Sequence, residues 1–471
     1  METARVIQAG MGIGVSNWTL ANAVASAGQI GVVSGTGIDL VLVRRLQDGD
    51  KKGDVRCALE HFPDAEFAEE ILKKYFIPGG KSQETPYATL SMLTAALRYE
   101  REKLVILANF VEVFLAKENH NGKIGINFLE KVQLPVLPSL YGALLAGVDY
   151  VFMGAGIPRE IPAVLDKLSQ NQDVEYKLSV KGSGAEDHYR LRFSPRGLMK
   201  VPLQPIQRPQ FYGIISSTVL ALTLTKKTLP PVDGFVIEAP SAGGHNAPPR
   251  GSPLFNERGE PVYGKRDEVD FKAIAELGLP FWLAGSMASP DGYRQAADLG
   301  AAGIQVGTAF ALCDESGLDR KIKDQILNHI LNGDLDVFTD PLASPTGFPF
   351  KVARLSGTNS EEENYASRIR RCDVGYLREP YKKADGTLGY RCPGEPVDQY
   401  IKKGGQESDT VGRKCLCNGL LADIGLPQVN KGETEKPLVT LGDDAKNVIQ
   451  FMRKGARSFS AQDVISGLIG D

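Results

Sequence analysis

The segment Ser241-Ala242-Gly243-Gly244-His245 is the strongest candidate for chemistry in this chain, because it sets a histidine beside two glycines just past the apolar run Phe235-Val236-Ile237. An imidazole, with an unperturbed pKa near 6.5, is the natural proton acceptor at neutral pH. The glycines let a flat ligand lie against the backbone. A lone loop histidine more often just hydrogen-bonds a carbonyl, so His245 needs support from elsewhere. Two other stretches supply it: Leu283-Ala284-Gly285-Ser286 and Val306-Gly307-Thr308 each end an apolar run in a glycine followed by a hydroxyl residue. Glycine lets backbone N–H groups approach an anion, and the hydroxyl can donate to it. Ser289-Pro290 then offers an N-cap and an N1 proline for a helix start. Either glycine alone reads as a tight turn; the pair points to a phosphate site.

Cysteine gives a weaker signal. Four of the six cysteines, Cys372, Cys392, Cys415 and Cys417, fall late in the chain. Four sulfur ligands suit zinc or an iron–sulfur cluster by count. Their spacing is unlike the paired Cys-x₂-Cys of zinc ribbons, and buried cysteine often serves as a small hydrophobe. The expectation is therefore no metal, with these four as the set whose number suits a cluster. Arg370-Arg371, Arg391 and Arg413-Lys414 are placed to favour thiolates. Cys57 and Cys313 read as packing residues, and His61, His120, His188 and His329 as surface or structural ones.

The elements that must position these residues follow from hydrophobic patterning. Eight short apolar runs are predicted as strands, at 6–9, 31–34, 123–128, 150–155, 210–216, 234–239, 280–285 and 303–308. Helix-like segments at 18–27, 135–146, 218–227, 290–299 and 318–331 alternate with them. Strand–helix alternation of this kind builds a parallel sheet covered by crossover helices. Eight units ending near residue 332 favour a closed α/β (β/α)₈ TIM barrel over an open sheet. The Gly10–Gly14 stretch lacks the context of a dinucleotide fingerprint. His245 and both glycine–hydroxyl pairs then fall at strand C-terminal ends, the catalytic face of such a barrel.

Residues 1–332 are read as that barrel, with insertions at about 36–122 and 174–194. The first insertion contains an amphipathic stretch at 67–75 and a helix-like pair at 87–98 and 104–118. The second reads as a hairpin around Gly182-Ser183-Gly184. Residues 333–471 form a Pro/Gly-rich C-terminal extension, expected to pack on the barrel mouth and ending in a helix-like stretch at 443–453.

A net charge of -3 gives no general attraction to nucleic acid or to an anionic membrane, so neither is expected as a partner. The first residues show no secretory signal, and no apolar stretch approaches the roughly 18 residues of a membrane span. Six cysteines in 471 residues make no disulfide scaffold. The cytoplasm is the expected compartment, a small molecule the expected partner, and a homo-oligomer is compatible with the sequence.

Residues 5–332 also carry a family resemblance. Gln8-Ala9-Gly10-Met11-Gly12 resembles the Gln-Ala-Pro-Met opening of the nitronate monooxygenase (2-nitropropane dioxygenase-like) family, and Ile126-Asn127-Phe128 its Val-Asn-Leu strand. Ala242-Gly243-Gly244-His245 is similar to its Ala-Gly-Gly-His. Leu283–Ser286 and Gly300–Phe310 are similar to its two FMN-phosphate segments, and all occur in the same order. The resemblance implies FMN at the C-terminal mouth, its phosphate on Gly285, Ser286, Gly307 and Thr308. It implies Gly10 and Met11 near the isoalloxazine, Asn127 near the phosphate or ribityl chain, and Gly243 and Gly244 beside the cofactor.

In that family the matching histidine is the base that takes the proton α to a nitro group, and O₂ reoxidises the flavin. Related flavin enoyl-ACP reductases keep the histidine but take hydride from NAD(P)H, and other relatives reduce quinones. The expected activity is thus that of an FMN-dependent oxidoreductase acting on an alkyl nitronate or similar carbanion-stabilised molecule, with His245 as base. The alternatives are an NAD(P)H-dependent reductase of an enoyl thioester or quinone, and a non-catalytic binding barrel. Two departures bear on substrate: Gly10 replaces the family's proline, and the stretch from Glu238 to His245 is longer than the usual Glu-Ala-Gly-Gly-His. The loop beyond, Asn246–Gly251, brings Arg250, the residue best suited to an anionic substrate group.

Overall fold

The computed structural model describes residues 4–96 and 99–470. Eight parallel strands close into a barrel: β1 (Val6–Gln8), β2 (Ile30–Ser34), β3 (Lys123–Leu129), β4 (Tyr150–Gly154), β5 (Gln210–Ile215), β6 (Gly234–Glu238), β7 (Phe281–Ala284) and β8 (Gly303–Val306). Each pairs with its sequence neighbours. β8 returns to β1 in the register Val6 with Ile304, which closes the ring. The eight predicted strands are thus all present, within a residue or two at each end. The reason is physical: strands covered by helices outside and side chains inside must be apolar on both faces, so they stand out as short continuous runs.

The barrel interior is packed. Ile7, Ile30, Val32, Phe152, Tyr212, Val236 and Trp282 fill it. Tyr212 lies 5.3 Å from the Trp282 ring and 5.7 Å from Phe152, centre to centre. The Trp282 indole donates to the Ala4 carbonyl at 3.2 Å, so its one polar atom is satisfied. This plug leaves the C-terminal mouth as the place where the barrel can accept a ligand.

The first insertion is helical: Ile38–Gln47, Asp54–Glu60, Ala65–Tyr75 and Tyr99–Ala116. One expectation fails here. The helix predicted at 87–98 is absent over 87–94, and Leu97 and Arg98 lie outside the described residues. Its amides are taken by distant side chains instead. Tyr87 N–H donates to Gln428, Ala88 N–H to Gln47 and Ala95 N–H to the Tyr390 hydroxyl. Tertiary partners outweigh a weak local propensity. The second insertion is the expected hairpin, Val174–Lys177 with Arg190–Phe193.

The extension contains three hairpins, Asp336–Asp340 with Phe350–Arg354, Glu379–Lys382 with Leu388–Arg391, and the short Val429–Asn430 with Glu433–Thr434. It also contains the helix Leu416–Asp423 and the helix Ala461–Ile469, and the predicted 443–453 stretch is a 3₁₀ helix, Ala445–Phe451. It shares one hydrophobic core with the barrel: Val439, Leu441, Val448, Phe451, Val464 and Leu468 belong to the same buried cluster as Leu20, Ile304 and Phe310. Helix Ala461–Ile469 packs against Trp18–Ser26 and Pro290–Asp298, the helices that follow β1 and β7. It therefore fills the eighth place in the outer ring. The Tyr376 hydroxyl of the extension donates to Asp39 at 2.5 Å, and Asp39 pairs with Arg101 at 2.6 Å. This buried triad ties the extension to two helices of the first insertion. Among the described residues no helix is long and apolar enough to cross a membrane.

Candidate active site

A cavity of about 1050 Å³ opens at the C-terminal ends of the strands. Its floor and sides come from the loops after β1, β3, β6, β7 and β8, and Phe348, Phe350 and Leu441 of the extension cover part of the mouth. All the site residues singled out in the sequence line this one space: Gly10, Met11, Asn127, Gly243, Gly244, His245, Arg250, Gly285, Ser286, Gly307 and Thr308. Most pockets for small ligands span about 300–1000 Å³. This one, at the top of that range, has room for a cofactor and a second molecule.

The loop after β1 is held by a side-chain network. Buried Gln8 accepts from the Val32 amide at 2.9 Å and donates to the Ser16 hydroxyl at 2.7 Å. Ser16 in turn accepts from the Met11 amide and donates to the Ala9 carbonyl, both at 2.8 Å. Asn127 donates to the Gly10 carbonyl at 3.1 Å. A Cβ on Gly10 would lie 2.2 Å from the Asn127 Cβ. Gly10 is therefore what lets β3 reach the loop, and Asn127 fastens that loop while facing the cavity.

The Gly-Gly-His segment is stitched to the extension. Gly244 N–H donates to the Thr440 hydroxyl at 2.7 Å, Lys351 N–H donates to the Gly244 carbonyl at 3.0 Å, and Asn246 N–H to the Pro349 carbonyl at 2.9 Å. Gly244 has φ +82°, a conformation that strongly favours glycine. The His245 Nε2 lies 2.7 Å from the Ser344 hydroxyl, which also meets the Thr346 hydroxyl at 2.8 Å. The Phe350 ring stands edge-on to the imidazole, 4.9 Å away. Burial among these groups lowers the His245 pKa to about 4, so the ring is neutral at physiological pH.

A second titratable group faces the same cavity. Glu238 ends β6, and burial raises its carboxyl to about 7. The usual order of the two residue types is inverted: the imidazole loses its proton well below the pH at which the carboxyl does.

At the ends of β7 and β8, Gly285 adopts φ +94° and Ser286 φ +54°. A Cβ on Gly285 would stand 2.9 Å from that of Ala239, so the turn depends on glycine. Gly307 leads directly into the helix Thr308–Leu312. The Thr308 hydroxyl accepts from the Gly442 amide at 2.8 Å, which keeps its hydrogen free to donate into the site. Ser289 caps the helix after β7, Pro290–Asp298, as expected, accepting from Gly292 N–H at 3.0 Å. Arg250 sits at the exposed rim, its guanidinium donating to the Arg266 carbonyl at 3.1 Å, with Lys265 on the same wall.

Two groups escaped the sequence reading. Glu238 carried a usable signal, a carboxylate at the C-terminal end of a buried strand. Ser344 carried none, because its contact with His245 is made across 99 residues of chain.

The site suits a flat, phosphorylated cofactor such as FMN by its own features. Backbone at Gly285, Ser286 and Gly307 is exposed to the cavity with two hydroxyls beside it, and open glycine surface lies next to His245.

No family model and no curated protein matches the chain. Among solved structures it is similar to FabK from Thermotoga maritima, 14% identical with a TM-score of 0.49, over 99% of this chain and 92% of that one. It is similar to nitroalkane oxidase from Streptomyces ansochromogenes, 13% identical with a TM-score of 0.45, over 98% and 94%. The enoyl reductase domain of MlnA, from the macrolactin biosynthesis cluster from Bacillus amyloliquefaciens, is 11% identical with a TM-score of 0.46, over 98% and 92%. At such identities and scores, none of these likenesses bears on the activity of this chain.

Proposed function

We propose that this chain is an FMN-dependent oxidoreductase of the nitronate monooxygenase type, oxidising an alkyl nitronate or a similar carbanion-stabilised small molecule with O₂. The observation that carries this reading is the neutral imidazole of His245, in one cavity with the paired Gly285-Ser286 and Gly307-Thr308 turns. Bound there, FMN would supply the two-electron oxidation. Gly285, Ser286, Gly307 and Thr308 would hold its phosphate, and Gly10, Met11, Gly243 and Gly244 would face its ring.

The chain's own residues do the proton work. His245, neutral at physiological pH, accepts the proton from the acidic carbon of a nitroalkane at the ring nitrogen that the Ser344 bond leaves free, giving the nitronate that is oxidised. Ser344 orients the ring, and Phe350 with the apolar lid keeps water from competing. Glu238, close to half-protonated at neutral pH, is placed to return a proton. Arg250 at the rim receives an anionic group on the substrate.

The test is anaerobic mixing of the yellow enzyme with a nitronate, then with NADH or NADPH. Bleaching by the nitronate, reversed by O₂, is expected. Rapid bleaching by a nicotinamide with none by the nitronate would sink the monooxygenase reading. It would favour the second one, a reductase of an enoyl thioester or quinone.

The inverted pKa order gives a pH prediction. Turnover needs His245 unprotonated and Glu238 protonated, so kcat/KM should rise as pH passes about 4 and fall as it passes about 7. Glu238→Gln should remove the alkaline limb and leave the acid one. An alkaline limb unchanged in that variant would take Glu238 out of the mechanism.

A further inference from the structure

One side of the large cavity takes no part in the proton chemistry proposed above. It is lined by Ile13 and Val15 of the loop after β1, by Leu318 beyond β8, and by helix Leu416–Asp423 of the extension. These segments are joined directly. Gly317 N–H donates to the Val15 carbonyl at 2.8 Å, Asp319 N–H to the Asp423 carbonyl at 2.7 Å, and Leu438 N–H to the Asp423 carboxyl at 3.0 Å. A Cβ on Gly14 would stand 2.9 Å from the Ile424 Cδ1, so glycine is what lets the extension close on the β1 loop.

The lining on this side is apolar. Ile13, Val15, Leu318, Leu416 and Val439 are each at most 7% exposed, so they offer a molecule hydrocarbon and little else. Tyr376 adds a ring whose hydroxyl is already bonded to Asp39. Asp423 is the exception: it is 2% exposed, yet it faces the cavity. One of its carboxyl oxygens accepts from Leu438 N–H. The other makes no hydrogen bond, and no lysine or arginine pairs with the group, among the described residues. A single carbonyl oxygen, as on asparagine, would serve Leu438 equally well. A buried oxygen without a partner is costly, so the second one calls for a group that the protein itself does not supply. Burial with no cation nearby pushes the carboxyl well above the usual carboxylate range. That favours the protonated acid, which is a hydrogen-bond donor.

We propose that this side of the cavity is a substrate subsite, holding an uncharged aliphatic chain whose far end carries a hydroxyl or carbonyl oxygen bonded to Asp423. The hydrocarbon walls select the chain, and the lone carboxyl selects its end. A carboxylate end would meet no cation there. An ammonium end would leave water for a single partner, at the full desolvation cost of both charges. His245 and Asp423 line one continuous cavity, so a molecule reacting at the imidazole can extend its chain to the carboxyl. That the chain belongs to a substrate rests on the reading of His245 as the reacting group; that this side binds it does not.

The test is calorimetric titration of the whole chain, as purified and again after saturation with FMN, with hexanol, hexane, hexanoate and hexylamine. Hexanol should bind in both states, and affinity should rise about fourfold per methylene from propanol to hexanol. Hexanoate and hexylamine should bind at least about tenfold more weakly. Asp423→Ala should lose about tenfold for hexanol and nothing for hexane, a split that a merely structural role would not produce. Asp423→Asn keeps both the Leu438 bond and a donor, and should bind hexanol as the unmutated chain does. Leu420→Trp, which narrows the same side, should remove the gain per methylene, and it decides the matter if Asp423→Ala fails to fold. Equal affinity for hexanol and hexanoate, or an Asp423→Ala chain that loses hexanol and hexane alike, would overturn the role of the carboxyl. Hexanol binding abolished by FMN would make this side part of the cofactor site and overturn the subsite. Hexanol binding that persists in a chain inert to nitronates would support the subsite and sink only the reaction.

Discussion

A His245→Ala chain is expected to retain its flavin and to lose about 10²–10⁴-fold in kcat, the usual contribution of a positioned general base. The two outcomes separate because cofactor and proton are handled by different loops. The proposed phosphate anchors lie after β7 and β8, whereas His245 follows β6 and is fixed by the Phe350–Arg354 strand. Removing the imidazole leaves the backbone bonds of Gly244 and Asn246 in place, so the loop keeps its course. Flavin absorbance per chain and turnover at saturating substrate check the two halves independently. Partial rescue by added imidazole is expected, because the vacated space beside Phe350 fits it. A variant at full turnover would remove His245 from the proton step. Ser344→Ala should cost far less, since it removes one hydrogen bond to a ring that Phe350 still packs.

The second large effect is expected from shortening the chain. Residues 1–332 alone hold all eight strands, yet they should not fold cooperatively. Val439, Leu441, Val448, Phe451, Phe459, Val464, Ile465 and Leu468 are each at most 4% exposed, and several share a core with barrel residues. Burying a side chain of this size is worth roughly 1.5–3 kcal/mol. Leaving the surfaces they cover facing water costs more than the ~5–15 kcal/mol that holds a typical domain together. The helix at Ala461–Ile469 weighs most, because without it the helices after β1 and β7 have a gap between them. Aggregation, or a broad non-cooperative transition in urea, is the expected result. A soluble 1–332 chain with a sharp transition and bound flavin would show that the extension only decorates the barrel.

What is legible in the sequence is local. Phe235-Val236-Ile237 and Gly303-Ile304-Gln305-Val306 are strands buried on both faces, and such runs announce themselves without knowledge of their partners. Gly285 and Gly307 are legible because their place at strand ends is itself a sequence property. Contacts across long stretches of chain are not. That the four late cysteines meet at one small cavity is not visible in their spacing, because a hairpin and a helix fold their segments together. The failed helix at 87–94 has the same cause: Gln428 and Tyr390, which take its amides, lie some three hundred residues away. His245 is the right starting point, but Ser344 and Phe350, which help bury its ring, come from the extension, and no local pattern encodes them.

The filling of the eighth helical place by residues 461–469 also sets an order of events during synthesis. Chains emerge from the ribosome N-terminus first, at about 5–20 residues per second. On that scale the ring of strands is exposed for roughly 7–30 seconds before its closing helix appears. Through that interval β1 and β8 can pair, but the seam between their helices stays open and the pocket lacks its lid. Capture of the cofactor proposed for the pocket would thus fall late in biogenesis, after residues 461–469 have emerged.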